Sequence, residues 1–202
     1  VKDIVFGYEV VDSYNVLNKI SAFSDFSEDI VIPTMEECAK FSEEVLAPIN
    51  AIGDQQGATI KDGVVTMPEE FVDAYQKFAE AGWASISLPS DIGGGGMPIT
   101  LSGGTLEILS TANLAFGLAP GLSAGAISAI NFHGNQEQKD KFLPKLVSGE
   151  WTGTMNLSEP QSGSDHMLIK EKDVDGVKVS YEKQLFFSIS QKSSQKSLFS
   201  IR

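Results

Sequence analysis

The sequence predicts a mainly α fold: a helical bundle through the first 150 residues, then a β pattern from Trp151. Three observations predict it. Apolar residues recur at helical spacing in successive segments before Gly149. Residues suited to cap helix starts precede several of those segments, and glycines close two of them. From Trp151 the chain turns Thr-rich and β-compatible, and the run breaks at Pro160, which fixes φ and removes a donor.

The elements follow in order. Val10, Val11, Tyr14, Val16, Leu17 and Ile20 give residues 6–23 a loosely helical pattern, weakened by Gly7 and by Asp12-Ser13. A stronger helix is expected from Ser27 or Thr34 to Asn50. Its stripe is Met35, Cys38, Phe41, Val45, Leu46 and Ile49, with Glu36, Glu37, Glu43 and Glu44 toward water. Pro33 sits early and Pro48 near the end of that helix. Residues 53–63 read as a polar loop and Val64-Val65 as a short extended piece. Thr66-Met-Pro-Glu69 has the spacing of a capping box, with Thr66 as the cap, and opens a helix carrying Phe71, Val72, Tyr75, Phe78 and Ala79. Gly82 stops it.

Residues 83–89 read as extended chain entering Gly93-Gly-Gly-Gly96. No Lys-Ser/Thr follows the glycines and the GxGxxG spacing is absent, so a turn over the core is expected rather than a phosphate cradle. Residues 101–133 are small and apolar, with one acid, Glu107, which we leave unassigned. Two helices broken around Gly117 to Pro120, buried on all sides, are expected. Asn135-Gln-Glu-Gln138 opens a further helix through Phe142, Leu143 and Leu146 to Gly149, with Pro144 a cost to its hydrogen bonding. Beyond the first strand, Val174 to Tyr181 reads as a hairpin arm with Asp175-Gly176 as its tight turn. The Ser/Lys/Gln-rich residues 188–202 read as an ill-ordered tail.

Bulk properties narrow the function. A net charge of −12 argues against nucleic acid and anionic membrane surfaces as partners. No uninterrupted apolar run reaches the roughly 20 residues of a membrane span; residues 114–132 come nearest. One cysteine and two histidines make neither a disulfide framework nor a metal-ligand pattern. No signal-peptide pattern opens the chain, so a cytoplasmic enzyme or binding domain is expected. His133 and Trp151 are read as a buried helix-end residue and a strand aromatic, both structural.

The most chemically suggestive stretch is residues 155–165, Met-Asn-Leu-Ser-Glu-Pro-Gln-Ser-Gly-Ser-Asp. After the proline it offers close-approach backbone N–H groups and two hydroxyls, which suit a phosphate or pyrophosphate oxygen. The same residues also fit an ordinary polar turn.

Taken with Glu43-Glu-Val-Leu-Ala-Pro-Ile-Asn50, Gly82-Trp83 before the glycine run, His133-Gly134, Gln138-Lys139, Phe142-Leu-Pro-Lys-Leu146 and Gly149-Glu-Trp151, in that order, the stretch resembles the acyl-CoA dehydrogenases. The resemblance covers residues 30 to 165. It implies a helical N-terminal domain, a β-barrel-like middle domain and a C-terminal four-helix domain, of which residues 1–202 carry the first and the start of the second. The C-terminal four-helix domain is absent from these residues. The implied division is an N-terminal extension over 1–34, the helical domain over 35–150, an incomplete middle domain over 151–187 and the tail over 188–202.

The resemblance further implies FAD as cofactor and α,β-dehydrogenation of acyl-CoA thioesters to trans-2-enoyl-CoA. Electrons would pass to an electron-transfer flavoprotein, and the family assembles as homo-oligomers. Met155, Leu157 and Ser158 would lie along the flavin, with the Ser158 hydroxyl in reach of the ring. Gly163 and Ser164 would approach the pyrophosphate, Ser164 also lying near the acyl-CoA. No catalytic residue is implied within residues 1–202, since the family's glutamate base lies beyond Arg202. After Asp165 the likeness fades. Residues 182–190 echo, in distorted form, a family strand that touches the flavin. The balance of charge turns from −15 before His166 to +3 after it, which we read as loss of the coding frame near residue 166 or truncation. Two other readings stand beside a dehydrogenase: a non-catalytic remnant that binds flavin or acyl-CoA, and a related flavoenzyme such as an acyl-CoA oxidase.

Overall fold

The computed structural model describes residues 1–155 and, beyond them, the strand segments 172–174, 177–179, 187–191 and 199–200, with side chains described through Thr154. Eight α-helices form the first part: α1 Lys2–Val10, α2 Ser13–Leu17, α3 Glu28–Phe41, α4 Ala47–Gln56, α5 Glu69–Glu80, α6 Ile99–Ala112, α7 Leu114–His133 and α8 Gln136–Val147. A hairpin, β1 Thr59–Lys61 with β2 Val64–Thr66, joins α4 to α5. Then come β3 Trp151–Met155, β4 Lys172–Val174, β5 Val177–Val179, β6 Phe187–Gln191 and β7 Phe199–Ser200.

The N-terminal helix breaks at Asp12, whose left-handed backbone (φ 55°) starts α2. Next, α3 begins at the earlier of the two expected starts and runs straight through residue 34, where a boundary was expected between extension and bundle. Pro33 therefore lies in its second turn, and Thr34 Oγ1 donates instead to the Ile30 carbonyl at 2.6 Å. The stripe is buried as predicted at Met35, Cys38, Phe41, Leu46 and Ile49. Pro48 is not near the C-terminal end of a helix. It sits in the first turn of α4, directly after a π-turn over Ser42–Leu46 in which the Ala47 N–H donates to the Ser42 carbonyl. The extra residue widens the helix where the proline lacks a donor.

Residues 53–63 are not a plain loop, since α4 continues to Gln56 and a hairpin follows. Its turn is Asp62-Gly63, both at positive φ (52° and 75°), the geometry that Asp-Gly favours between twisted strands. The Thr66 capping box does not form: Thr66 ends β2, its hydroxyl pairs with that of Thr59 at 2.8 Å, and Pro68 occupies the cap of α5. Within α5, Phe71, Ala74 and Phe78 are buried while Val72 is exposed, and Gly82 takes the left-handed stop at φ 78°.

Residues 83–92 form short 3₁₀ turns at Trp83–Ser85 and Ser90–Ile92 rather than extended chain. The break between the small, apolar helices falls at Asn113, not at Gly117 to Pro120. Pro120 leaves one carbonyl of α7 without its helical partner but does not end the helix. Burial is also one-sided: Leu114 and Leu118 of α7 are 61% and 63% exposed, against 4% for Phe116 and 2% for Ile127. By length and composition α7 could cross a bilayer; it packs one face on α6, α8 and β3 and leaves the other open. The Asn135 capping box of α8 forms in full, with Asn135 Oδ1 accepting from the Gln138 N–H and Gln138 Oε1 accepting from the Asn135 N–H, both at 2.9 Å.

Three apolar clusters hold the layers together. Val5, Tyr8, Phe26, Val31, Met35 and Leu101 fasten α1 to α3 and α6. Cys38, Phe41, Leu46, Phe71, Phe78, Leu109 and Phe116 fill the centre. Leu88, Ile127, Ile130, Phe142, Leu143 and Leu146 seat α8 on α7. Each fully buried large side chain contributes about 1.5–3 kcal/mol.

In the β part, β3 pairs antiparallel with β6, and β6 with β7. Phe187–Gln191 and Phe199–Ser200, inside or bordering the stretch read as an ill-ordered tail, are thus strands in a sheet. The expected hairpin arm is present as β4–β5 with Val174 opposite Val177; the turn itself, Asp175-Gly176, lies outside the described residues.

Candidate functional site

The site is built where strand meets helix. Along β3, Gly153 lies against α7 so closely that a Cβ there would stand 2.5 Å from Ala126 Cβ and 3.3 Å from Ser123 Cα. The Gly153 N–H donates to Ser123 Oγ at 3.0 Å. Only a residue without a side chain lets the strand come this near, and the hydroxyl gives its edge N–H a partner inside the helical layer. Trp151 anchors the start of β3, its ring 6.2 Å from that of Phe142 and lying under the Lys145 ammonium. Lys145 is in turn paired with Glu150 at 2.7 Å.

This docking carries Met155 to the end of β3, paired with Phe187 of β6. Residues 187–190, part of the distorted family echo, therefore run beside the strand that the resemblance assigns to the flavin. Of the predicted site residues, the backbone of Met155 is placed here. Leu157, Ser158, Gly163 and Ser164 lie outside the described residues, as does the whole Pro160 loop.

The other glycine-rich candidate is closed. The N–H groups of Gly93, Gly94, Gly95 and Gly96 donate to the carbonyls of Ser90, Pro89, Ser85 and Leu88. A Cβ on Gly94 would stand 2.2 Å from the Leu88 carbonyl oxygen. All four donors are spent on folding the loop against its own chain, so no cradle for an anion exists there, as the turn reading expects.

Three residues weighed from the sequence are now placed. His133 ends α7 exposed, not buried, and Glu107 is exposed on α6. Trp151 is half-buried in the strand as expected. Cys38 is fully buried; burial pushes its thiol up to about 12, partly offset by the Ser42 hydroxyl, so it is no nucleophile. Burial likewise raises Tyr75. Among the described residues no group of His, Cys, Asp or Glu could hold a metal ion.

Two open apolar surfaces flank α7. One is its outer face, where Leu114, Leu118 and Leu122 follow at intervals of four. The other is a groove of about 1000 Å³ between α4, the β1–β2 hairpin, α5 and the first turns of α7, with Thr152 of β3 at one end. The sequence pattern missed this groove. The Asp62-Gly63 turn signal points to the hairpin that walls it, but nothing local reports the facing helices.

The family profile described as acyl-CoA dehydrogenase, N-terminal domain, matches residues 33–150, ending one residue before β3. The chain belongs to the acyl-CoA dehydrogenase family. Among similar proteins, 3-methylmercaptopropionyl-CoA dehydrogenase of Ruegeria pomeroyi is 39% identical over 165 residues, which are 82% of this chain and 28% of that protein. Butyryl-CoA dehydrogenase of Megasphaera elsdenii shares the fold with a TM-score of 0.62 at 18% identity, over 83% of this chain and 50% of the other. An acyl-CoA dehydrogenase of Bacillus anthracis, solved in complex with FAD, superposes with a TM-score of 0.58 at 21% identity, over 83% of this chain and 26% of its own. This acyl-CoA dehydrogenase-family chain thus spans about a quarter to a half of these relatives. Its helical fold is the family's N-terminal domain, and β3 is the first element beyond it.

Proposed function

We propose that this chain is the helical domain and first flavin strand of an FAD-dependent acyl-CoA dehydrogenase. The observation that carries the reading is the seating of β3 on α7 through Gly153 and Ser123, with β6 alongside. It fixes β3 on α7 and holds the backbone of Met155 beside Phe187 of β6. As far as β3 reaches, the residues suit a flat, partly apolar group: backbone held rigidly on one side and a helix face of Leu and small residues on the other. By the family resemblance, Gly163 and Ser164 are the residues that would meet the pyrophosphate.

FAD, when bound, supplies the two-electron acceptor for oxidation of the thioester's Cα–Cβ bond. The chain's own part is to orient and to exclude water. Met155, Leu157 and Ser158 would hold the ring edge, with the Ser158 hydroxyl donating to it. Gly163 and Ser164 would offer backbone N–H and a hydroxyl to phosphate oxygens. The outer face of α7, through Leu118 and Leu122, would shield the acyl part from solvent. Removal of the α-proton needs a positioned base; the carboxylates among the described residues are exposed, and on the family reading the base is not supplied by this stretch, so binding without turnover is the expected behaviour. An electron-transfer flavoprotein as acceptor, and assembly with further copies, belong to the same reading.

The purified chain titrated with FAD tests it. Quenched flavin fluorescence and a shifted flavin absorption band, both lost in Gly163→Val, are expected. Acyl-CoA added with an artificial electron acceptor should then give no reduction. Failure to bind FAD overturns the flavin assignment, and acceptor reduction overturns the absence of turnover.

A further inference from the structure

The groove between α4, the hairpin, α5 and α7 is a different surface from the one assigned to the acyl-CoA. Its walls are apolar side chains that the fold leaves open to solvent: Val65 is 63%, Met67 47% and Val72 48% exposed. Exposed Ala115 and Ala119 form its α7 side and keep it wide, and the Phe71 and Phe116 rings lie at its base. All six hairpin strand residues are exposed, so the hairpin stands out from the body as a wall. A two-stranded hairpin without a packed face is marginal alone, and an apolar occupant would give it one.

Charge selects the occupant. Among the groove's described lining residues the one ionisable at neutral pH is Asp54, which makes no ion pair among the described residues. Among the described residues no Lys, Arg or His lines the groove. An acyl-CoA or a free fatty acid would bring negative charge against a carboxylate with no cation to meet it. We infer that the groove binds a small amphiphile with an apolar chain and a cationic head, the chain lying along Ala115, Ala119 and Val72 and the head facing Asp54. At about 1000 Å³ the space is at the upper end of small-molecule sites.

Three amphiphiles sharing a ten-carbon chain test this by calorimetric titration of the full chain below their micelle concentrations: decyltrimethylammonium, decyl maltoside and decyl sulfate. The cationic one should bind about threefold tighter than the neutral one, as suits one exposed charge pair, and the anionic one weakest. Ala119→Phe fills the groove from an exposed helix position and should weaken all three at least tenfold. Val72→Ser, on the exposed face of α5, serves as a second variant and should weaken them in the same sense. Asp54→Asn should abolish the preference for the cation while chain binding persists. Because the whole chain is acidic, a preference surviving Asp54→Asn would be general charge attraction and would overturn the assignment. Unchanged binding in both Ala119→Phe and Val72→Ser would overturn it as well.

Discussion

Gly153 and Ser123 meet across the junction of strand and helix, the N–H of one donating to the hydroxyl of the other at 3.0 Å. Thirty residues apart in sequence, they seat β3 on α7, and with it everything the chain presents at Met155. Ser123→Ala leaves a buried N–H without a partner and should cost about 1–2 kcal/mol. Gly153→Ala drives a methyl toward Ala126 and should cost about 1–3 kcal/mol. Urea denaturation of both variants checks the order, and FAD binding should weaken in Gly153→Ala even where the fold persists.

Asn113 does two things at once. Its Oδ1 accepts from the Phe116 N–H at 3.0 Å, capping α7, and its Nδ2 donates to the Leu46 carbonyl at 3.2 Å, on the last residue of the π-turn. Asn113→Ala should therefore cost more than an ordinary cap, about 2–3 kcal/mol against about 1. Asn113→Ser keeps a capping oxygen and loses the reach to Leu46, so its midpoint in urea should fall between wild type and Asn113→Ala.

The glycine loop should respond to substitution through folding and not through ligand binding. Gly94→Ala sets a methyl against the Leu88 carbonyl, a backbone group that cannot step aside. A loss of more than about 2 kcal/mol is expected. Gly93→Ala should be less costly in space but strained by its φ of 91°. Inorganic phosphate should protect neither variant nor the wild type in thermal melts.

Alkaline pH should unfold the protein through buried acids that keep their protons. The Cys38 thiol is pushed from 9.0 to about 12 by burial, and Tyr8 and Tyr14 are raised, chiefly by burial. The folded state then holds protons that the unfolded chain has released, so stability falls as pH rises from about 9 toward 12. Cys38→Ala should be less stable at pH 7, through the cavity it leaves, yet decline less steeply between about pH 9 and 11. Urea midpoints across that range check it. In the native protein the thiol should resist a thiol-specific reagent at pH 8 until denaturant is added.

Much of the helical layer was legible because its signals are local. The stripe through Met35, Cys38 and Phe41, the full capping box at Asn135, the stop at Gly82 and the change of pattern at Trp151 each depend on residues within a turn or two. Backbone preference and amphipathic spacing decide such features wherever the chain goes. The order of the family motifs was legible for the same reason, since it is a property of the chain read end to end.

Tertiary structure decided what depends on distant partners. Thr66 had the spacing of a cap, but its hydroxyl found Thr59 across a hairpin. Gly117 to Pro120 looked like a helix break, but Asn113 carried the bond to Leu46 that fixed the break earlier. An apolar α7 pointed to burial on every side, yet its neighbours cover one face and leave Leu114 and Leu118 open. Whether Gly93 to Gly96 held an anion or their own carbonyls turned on where residues 85–90 folded back. In each case the same donor or apolar surface had two uses, and which one prevailed was settled by the groups that packing brought within a few ångströms.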